Sequence, residues 1–206
     1  AASENNVLTR RWLEEFGGLL GLRVSDLSET YGIEARHLLP YQYPGEEDLQ
    51  RVGVTGLFLG HYLPWDGLSN ALIAQANGLT TFDKPVEGSM VNYENLDNHQ
   101  TGIHDYFKFL KFGFSRATDI ACLHVRRGRI TRQDAVEIVK ARDGKFPWTY
   151  LGKPLQDILD PLDMTVEEFI KVCDRFTNKK IFKRDASGAV IKDKHGNLEE
   201  LNYATP

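Results

Sequence analysis

The basic side chains between residues 111 and 132 could bind an anion such as phosphate. Six of them crowd this segment: Lys111, Arg116, Arg126, Arg127, Arg129 and Arg132. Arg126, Arg127 and Arg129 flank the C-terminus of an expected helix. Positive charge complements the macrodipole there, which gives these arginines a purely structural explanation. Lys111 and Arg116 lie near the expected helix N-terminus, where the dipole disfavours cations, so phosphate is an attractive partner. Asp119, one turn after Arg116, could instead pair with that arginine.

A polar, aperiodic run at residues 82–106 could bind a sugar nucleotide. The hydroxyls and amides of a sugar nucleotide would have to be matched by side-chain donors and acceptors, which this run supplies at high density. Asn92, Tyr93 and His104 are the candidate substrate-binding residues. A solvated loop is the alternative interpretation of the same composition.

The loop at residues 61–66 is a second candidate for ligand contact. Residues 54–59 form a compact apolar run, which predicts a buried strand, and open α/β sheets bind ligands at the carboxyl ends of their strands. Tyr62 and Trp65 suit stacking on a base or packing on a sugar, although either could belong to the core. Asp66 precedes a predicted helix, and its carboxylate could cap that helix or act as a catalytic acid.

The elements that would position these residues are mostly helices. Glycines and capping residues predict four of these helices. Two are bounded at both ends, by Gly45 and Gly53 and by Arg116 and Gly128. Two begin at capping pairs, Thr131 with Asp134 and Thr165 with Glu168. The last two pairs read as capping boxes or their Asp variant, and we expect the helices they begin to be architectural. Short alternating runs between turns at residues 181–201 predict a small β-hairpin tail.

Composition indicates a folded, cytoplasmic chain. It has 206 residues, 41% of them hydrophobic and 26% charged, with a net charge of -4. The apolar runs fall short of the roughly 20 residues that a membrane span needs, and the acidic balance does not attract nucleic acid, so neither partner is expected. Cys122 and Cys173 form no Cys-x-x-Cys pair, and we expect both to be buried, reduced thiols.

Three segments carry a family resemblance. They are GLFLGHYLPWDGLSNALIAQANG at 56–78, VEGSMVNYENLDNHQTGIHDYFKFLKFGFSRATDIA at 86–121, and RRGRITRQDAVEIV at 126–139. Together they resemble the C-terminal half of bacterial N-acetyl sugar amidotransferases, which are PP-loop ATPases of lipopolysaccharide O-antigen and nonulosonic acid biosynthesis. The resemblance extends from about residue 33 to about residue 180 and is more specific than any short motif within it.

The resemblance implies an α/β fold. Residues 1–80 would be the C-terminal part of a PP-loop (adenine nucleotide alpha hydrolase-like) sheet, residues 81–180 a mainly helical domain, and residues 181–206 the β-hairpin tail. Members of the family resemble other PP-loop ATPases in carrying an SGGxDS-type loop for ATP. This chain has no such loop, because Gly17 and Gly18 are not followed by Asp-Ser. We therefore expect it to be a C-terminal portion.

The resemblance also implies a reaction. With ATP and Mg²⁺, the acetamido group of a UDP-linked sugar would become an acetamidino group, using ammonia from glutaminase and cyclase-like partner subunits. Lys111 and Arg116 would stabilise charge on the departing pyrophosphate. Asp119, Asp66 and His104 are weaker candidates for proton handling or substrate orientation.

Two further hypotheses remain open. The chain could be a non-catalytic module for sugar-nucleotide recognition or assembly, because it lacks the ATP loop. It could also be a metal-dependent hydrolase built on His99, His104 and Asp105. Their spacing matches no zinc or iron pattern, so we predict no metal site.

Overall fold

The computed structural model describes residues 7–9, 12 and 22–200. Gly17 and Gly18, and the last six residues of the expected tail, lie outside the described residues. The chain divides into two compact units, Ala1–Asn70 and Ala71–Pro206.

The described residues of the first unit form short helices. They are α1 (Val24–Tyr31), α2 (Ala35–Leu38), α3 (Glu46–Val52) and two 3-10 turns, Leu39–Tyr41 and Leu59–His61. Three acidic residues in the first turn of α3 complement the helix dipole. Gly53 ends α3 with a left-handed φ of 72°, which glycine adopts without steric cost. The helix predicted between Gly45 and Gly53 is confirmed.

The strand predicted at residues 54–59 is wrong. Leu57 makes one antiparallel bridge, to Val7, and the chain then turns into the 3-10 segment Leu59–His61. Leu57 and Leu59 are 54% and 63% exposed. An apolar run becomes a strand only when neighbouring strands pair with it on a buried face, and a single bridge does not provide that.

The second unit holds most of the regular structure. Helix α4 (Gly67–Ala76) crosses the unit boundary, and the following elements are α5 (Thr101–Phe112), α6 (Arg116–Arg126), α7 (Arg132–Arg142), β1 (Thr149–Tyr150), β2 (Lys153–Pro154), α8 (Leu155–Leu159), a 3-10 turn (Asp160–Leu162) and α9 (Val166–Phe176). Both predicted capping interactions form, because Thr131 and Thr165 accept from the N–H groups of Asp134 and Glu168.

The core of the second unit joins α5 to α9. Its buried members are Tyr106, Phe109, Leu110, Phe146, Leu155, Leu159, Phe169, Cys173, Phe182 and Leu198. The rings of Phe109 and Phe182 have centroids 5.3 Å apart, which ties the tail to α5. Burying each large apolar side chain contributes about 1.5–3 kcal/mol, so this cluster holds α5 firmly in place.

Strands β1 and β2 form a two-stranded antiparallel sheet, with Tyr150 opposite Lys153. The tail adds three isolated antiparallel bridges, Phe182 to Glu200, Arg184 to Val190 and Lys192 to Leu198. The described residues are thus mainly helical with a small antiparallel sheet, and they do not form a PP-loop sheet. Within this described part, no helix is long and apolar enough to cross a bilayer.

Candidate functional site

An ion pair between Asp105 and Arg116 lies at the junction of α5 and α6. Asp105 is in the second turn of α5 and only 5% exposed, while Arg116 is the first residue of α6. Arg116 Nε lies 2.5 Å from Asp105 Oδ2, and its Nη2 lies 3.0 Å from Oδ1. This two-point geometry is the strong form of a guanidinium–carboxylate contact.

Arg116 has further acceptors from the irregular segment that precedes α5. Its Nη1 lies 3.8 Å from Glu94 Oε2, and the amide oxygen of Asn95, assigned from its partners, lies 2.9 Å from Nη1. Burial alone lowers the pKa of Arg116, but the hydrogen bonds and negative charges of Asp105 and Glu94 outweigh it and raise that pKa. The guanidinium is therefore permanently charged and already surrounded by protein acceptors.

A second carboxylate lies against the N-terminus of α6. Asp143, just after α7, accepts from the backbone N–H groups of Ser115 at 2.8 Å, Ala117 at 3.0 Å and Thr118 at 3.3 Å. The Thr118 hydroxyl donates to the same carboxylate at 2.6 Å. Helix N-termini attract anions because their first amides lack helical partners. Here the protein supplies that anion itself.

Between these two carboxylates opens a cavity of about 220 Å³. Its inner wall consists of buried side chains: Asp105, Tyr106, Ser115, Phe146 and Tyr150. More exposed residues line its mouth: Glu87, Arg142, Lys145, Trp148 and Thr149. The cavity therefore combines aromatic walls with several hydrogen-bonding groups, which is the composition of pockets for small polar ligands.

Tyr150 gives the inner wall a neutral phenol. Burial, with the nearby charge of Asp105, raises the pKa of Tyr150 to about 12, so the phenol keeps its proton at neutral pH. The hydroxyl donates to the carbonyl of Asn95 at 3.3 Å. A Cβ on Gly102 would lie 2.5 Å from Tyr150 Cδ2. Only glycine lets α5 approach this ring so closely.

The mouth of the cavity is held by contacts to the tail and to the hairpin of β1 and β2. The indole N–H of Trp148 donates to the carbonyl of His195 at 2.9 Å. The centroids of the Trp148 and Phe146 rings are 4.6 Å apart. Glu87 Oε2 accepts from the backbone N–H of Leu151 at 3.0 Å. Leu151 has a φ of 50°, and this hydrogen bond helps to hold the turn in that uncommon conformation.

Of the three predicted catalytic residues, Arg116 begins a helix as expected, whereas Lys111 and Asp119 are placed differently. Lys111 lies in the last turn of α5 rather than near a helix N-terminus, and its ammonium is 5.5 Å from the centroid of the Phe176 ring. Asp119 pairs with Lys108, not with Arg116. A position near the C-terminus of α5 suits the charge of Lys111. The proposed roles of Lys111, Arg116 and Asp119 in binding pyrophosphate stay predictions.

Of the predicted substrate-binding residues in the second unit, Asn92 holds local structure. The Asn92 side chain donates to the carbonyl of Phe82 at 2.7 Å, and Tyr93 is half-buried. His104 lies on α5, not in a loop, with Nδ1 3.1 Å from Asp105 Oδ1. His104 is exposed and adjoins the ion pair, whereas Asn92 fastens the irregular segment.

The predicted loop residues lie in the first unit. Tyr62 and Trp65 are 54% and 74% exposed, so neither belongs to a core. Asp66 caps α4, because Oδ1 accepts from the Leu68 N–H at 3.2 Å and Oδ2 from the Ser69 hydroxyl at 2.7 Å. The cap interpretation of Asp66 is confirmed, and ligand binding by the three residues stays a prediction.

Sequence reasoning missed the residues that shape the cavity. Asp143 and Tyr150 follow α7, and their partners are distant in sequence. The combination of Arg142, Lys145 and Trp148 within seven residues was the available signal. Across the described part of the chain, no three His, Cys, Asp or Glu side chains are arranged to hold a metal ion.

Comparison with known proteins gives one family. The protein-family model described as "LPS biosynthesis protein WbpG-like, C-terminal domain" matches residues 80–194, which is more than half of the chain. The match includes the ion pair, the Asp143 contact and the lining residues of the cavity. No curated protein matches the sequence.

Proposed function

We propose, from the premise that this chain belongs to the WbpG-like family of lipopolysaccharide biosynthesis proteins, that it binds the sugar substrate of an amidotransferase. The overall reaction is the one that the family resemblance implies. The acetamido group of a UDP-linked sugar becomes an acetamidino group, with ATP as the activating reagent and ammonia supplied by partner glutaminase and cyclase-like subunits.

The cavity between Asp105 and Asp143 is the observation that carries this proposal. Its volume of about 220 Å³ is below the roughly 300–1,000 Å³ of pockets that enclose drug-sized ligands. It therefore suits a group of monosaccharide size. The phenol oxygen of Tyr150, whose proton goes to Asn95, can accept from an amide N–H or a hydroxyl of the ligand, and the rings of Tyr106 and Phe146 offer apolar surface to a sugar face.

The described residues do not fit ATP. The chain has no SGGxDS loop, and the N-terminal amides of α6 are filled by Asp143. Arg116 is engaged with Asp105, and Lys111 lies at the other end of α5. We therefore assign sugar recognition, and not nucleotide activation, to this part of the chain.

The second candidate function is recognition without catalysis. It is favoured by the N-terminus of α6, where Asp143 occupies amides that could otherwise bind a phosphate, in a chain whose sequence has no SGGxDS loop. In that case the chain would deliver or retain a sugar nucleotide for a partner enzyme. Both functions need the same cavity and differ only in turnover.

An amidation assay separates the two functions. The chain is mixed with ATP, Mg²⁺, a UDP-linked diacetamido sugar and ammonium salt, with and without the glutaminase partner. Mass spectrometry then follows the replacement of oxygen by NH in the sugar. Formation of the amidine supports the enzyme. Sugar binding without amidine under every condition would leave the recognition module and refute the amidotransferase.

A further inference from the structure

We infer that the mouth of the cavity is a nucleotide subsite, in which Arg142 and Lys145 hold the diphosphate and Trp148 stacks on the base. The inference rests on the proposed function, since it assigns the part of a nucleotide sugar that the cavity cannot enclose. It adds three residues that neither the resemblance nor the family match assigns.

The volume of the cavity leaves no room for the nucleotide beside the sugar. A cavity of about 220 Å³ accommodates a sugar but not a nucleotide as well, because pockets for drug-sized ligands span roughly 300–1,000 Å³. A nucleoside diphosphate joined to a sugar inside must therefore leave through the mouth. There it meets the exposed lining residues, among them Lys145 and Trp148.

Two positive charges, those of Arg142 and Lys145, line the mouth of the cavity. Within residues 22–200, neither Arg142 nor Lys145 has an ion-pair or side-chain hydrogen-bond partner, whereas Lys140, two residues before Arg142 on α7, binds Glu137 at 3.1 Å. The acids nearby are used elsewhere. Asp143 accepts from the amides of α6, and Glu87 accepts from Leu151. Two neighbouring cations without carboxylate partners are suited to a diphosphate.

The helix dipole explains only one of these cations. Arg142 lies in the last turn of α7, where a positive charge is favourable without any ligand. Lys145 lies beyond the helix and gains nothing from it. Its side chain is exposed and lines the same cavity as Arg142, so the pair is not accounted for by helix electrostatics alone.

Trp148 offers an exposed aromatic ring on which a base can stack. The indole is 50% exposed, yet it is fixed by its hydrogen bond to His195 and by contact with the Phe146 ring. A rigid, exposed aromatic face loses little entropy when a base stacks on it. Stacking of a base on an aromatic side chain tolerates any base, so the indole gives affinity while the sugar pocket gives selectivity.

Calorimetry with UDP, uridine and inorganic pyrophosphate tests the subsite on the full chain. We expect Arg142→Ala and Lys145→Ala each to weaken UDP and pyrophosphate binding about tenfold or more, because each removes a charge-assisted contact. Trp148→Ala should weaken UDP and uridine but leave pyrophosphate unchanged. Lys140→Ala is the matched control and should bind all three probes like the wild type. Circular dichroism confirms that each variant is folded.

The outcomes separate this inference from the proposed function. Wild-type affinity for UDP in both Arg142→Ala and Lys145→Ala would overturn the subsite, whatever the amidation assay shows. Absence of UDP binding by the wild-type chain would overturn it as well. A tenfold loss in those variants, together with no amidine from the wild type, would uphold the subsite and refute only the amidotransferase.

Discussion

The carboxylate of Asp143 lies 2.8 Å from the backbone N–H of Ser115, in the position where an external phosphate would bind the N-terminus of α6. Two more amides of the same helix end donate to it. An internal anion therefore completes the helix, and these amides are not available to an external phosphate. This contact also links α7 to α6 and forms one side of the cavity.

Replacing Asp143 should loosen this junction. Asp143→Asn retains the shape of the side chain but removes the charge that faces the helix dipole. We expect a loss of about 1–2 kcal/mol in the free energy of unfolding, the range of a helix cap combined with a dipole contact. Urea denaturation measures it, with exposed Asp97→Asn as the control. Equal stability of the two variants would contradict the role of Asp143.

Removal of Arg116 should destabilise the chain rather than only impair binding. Arg116→Ala leaves Asp105 buried without its cation, which costs roughly 3–5 kcal/mol in comparable buried pairs. The double variant Arg116→Met with Asp105→Leu should regain most of this loss, because no unpaired charge remains. Denaturation of both variants and of the exposed-site control Arg126→Ala checks the expectation. A fully stable Arg116→Ala would show that Asp105 does not depend on its partner.

A methyl group at residue 102 should disturb the inner wall. Gly102→Ala places a Cβ 2.5 Å from a ring carbon of Tyr150, and this ring is buried. Overpacking of this kind typically costs about 1–3 kcal/mol and shifts the side chain that is struck. Gly60→Ala, with open space around its Cβ, is the control. Thermal unfolding of the two variants measures the difference, which should be absent if α5 can move freely.

Alkaline pH should reduce stability in part through Tyr150. Burial and the charge of Asp105 raise its pKa from 10.0 to about 12, so the folded state holds a proton that the unfolded chain has already released. This stabilisation is fully present below pH 10 and is lost as the pH rises towards about 12. Buried Tyr106 has a raised pKa too and contributes in the same direction. Tyr150→Phe should therefore flatten, but not abolish, the alkaline decline in urea-denaturation stability, and an unchanged slope would contradict it.

The sequence was a good guide wherever the signal was local. Thr131 and Thr165 correctly predict the starts of their helices, because a capping side chain contacts an amide only three residues away. Asp66 was correctly read as a cap for the same reason. The family resemblance was confirmed because it rested on long matching segments.

Interactions between distant residues could not be predicted in this way. Nothing near Asp143 in the sequence shows that its carboxylate faces α6, and Arg116 meets Asp105 only after Gly113 turns the chain back. The apolar run at 54–59 read as a strand, yet strand formation depends on neighbours that a sequence window does not contain. The cavity residues were missed because they converge from four separate segments.

Calorimetry of this chain with a UDP-linked diacetamido sugar, and separately with ATP and Mg²⁺, tests the central claim most directly. The account predicts tight binding of the sugar nucleotide and much weaker binding of ATP, because ATP can contact the residues at the mouth but has no sugar to fill the cavity. Gly102→Ala, which crowds the cavity, should weaken the sugar nucleotide, while Gly60→Ala should not. Binding of ATP without the sugar nucleotide, or sugar-nucleotide binding equally strong in both variants, would contradict the assignment of the cavity to the sugar.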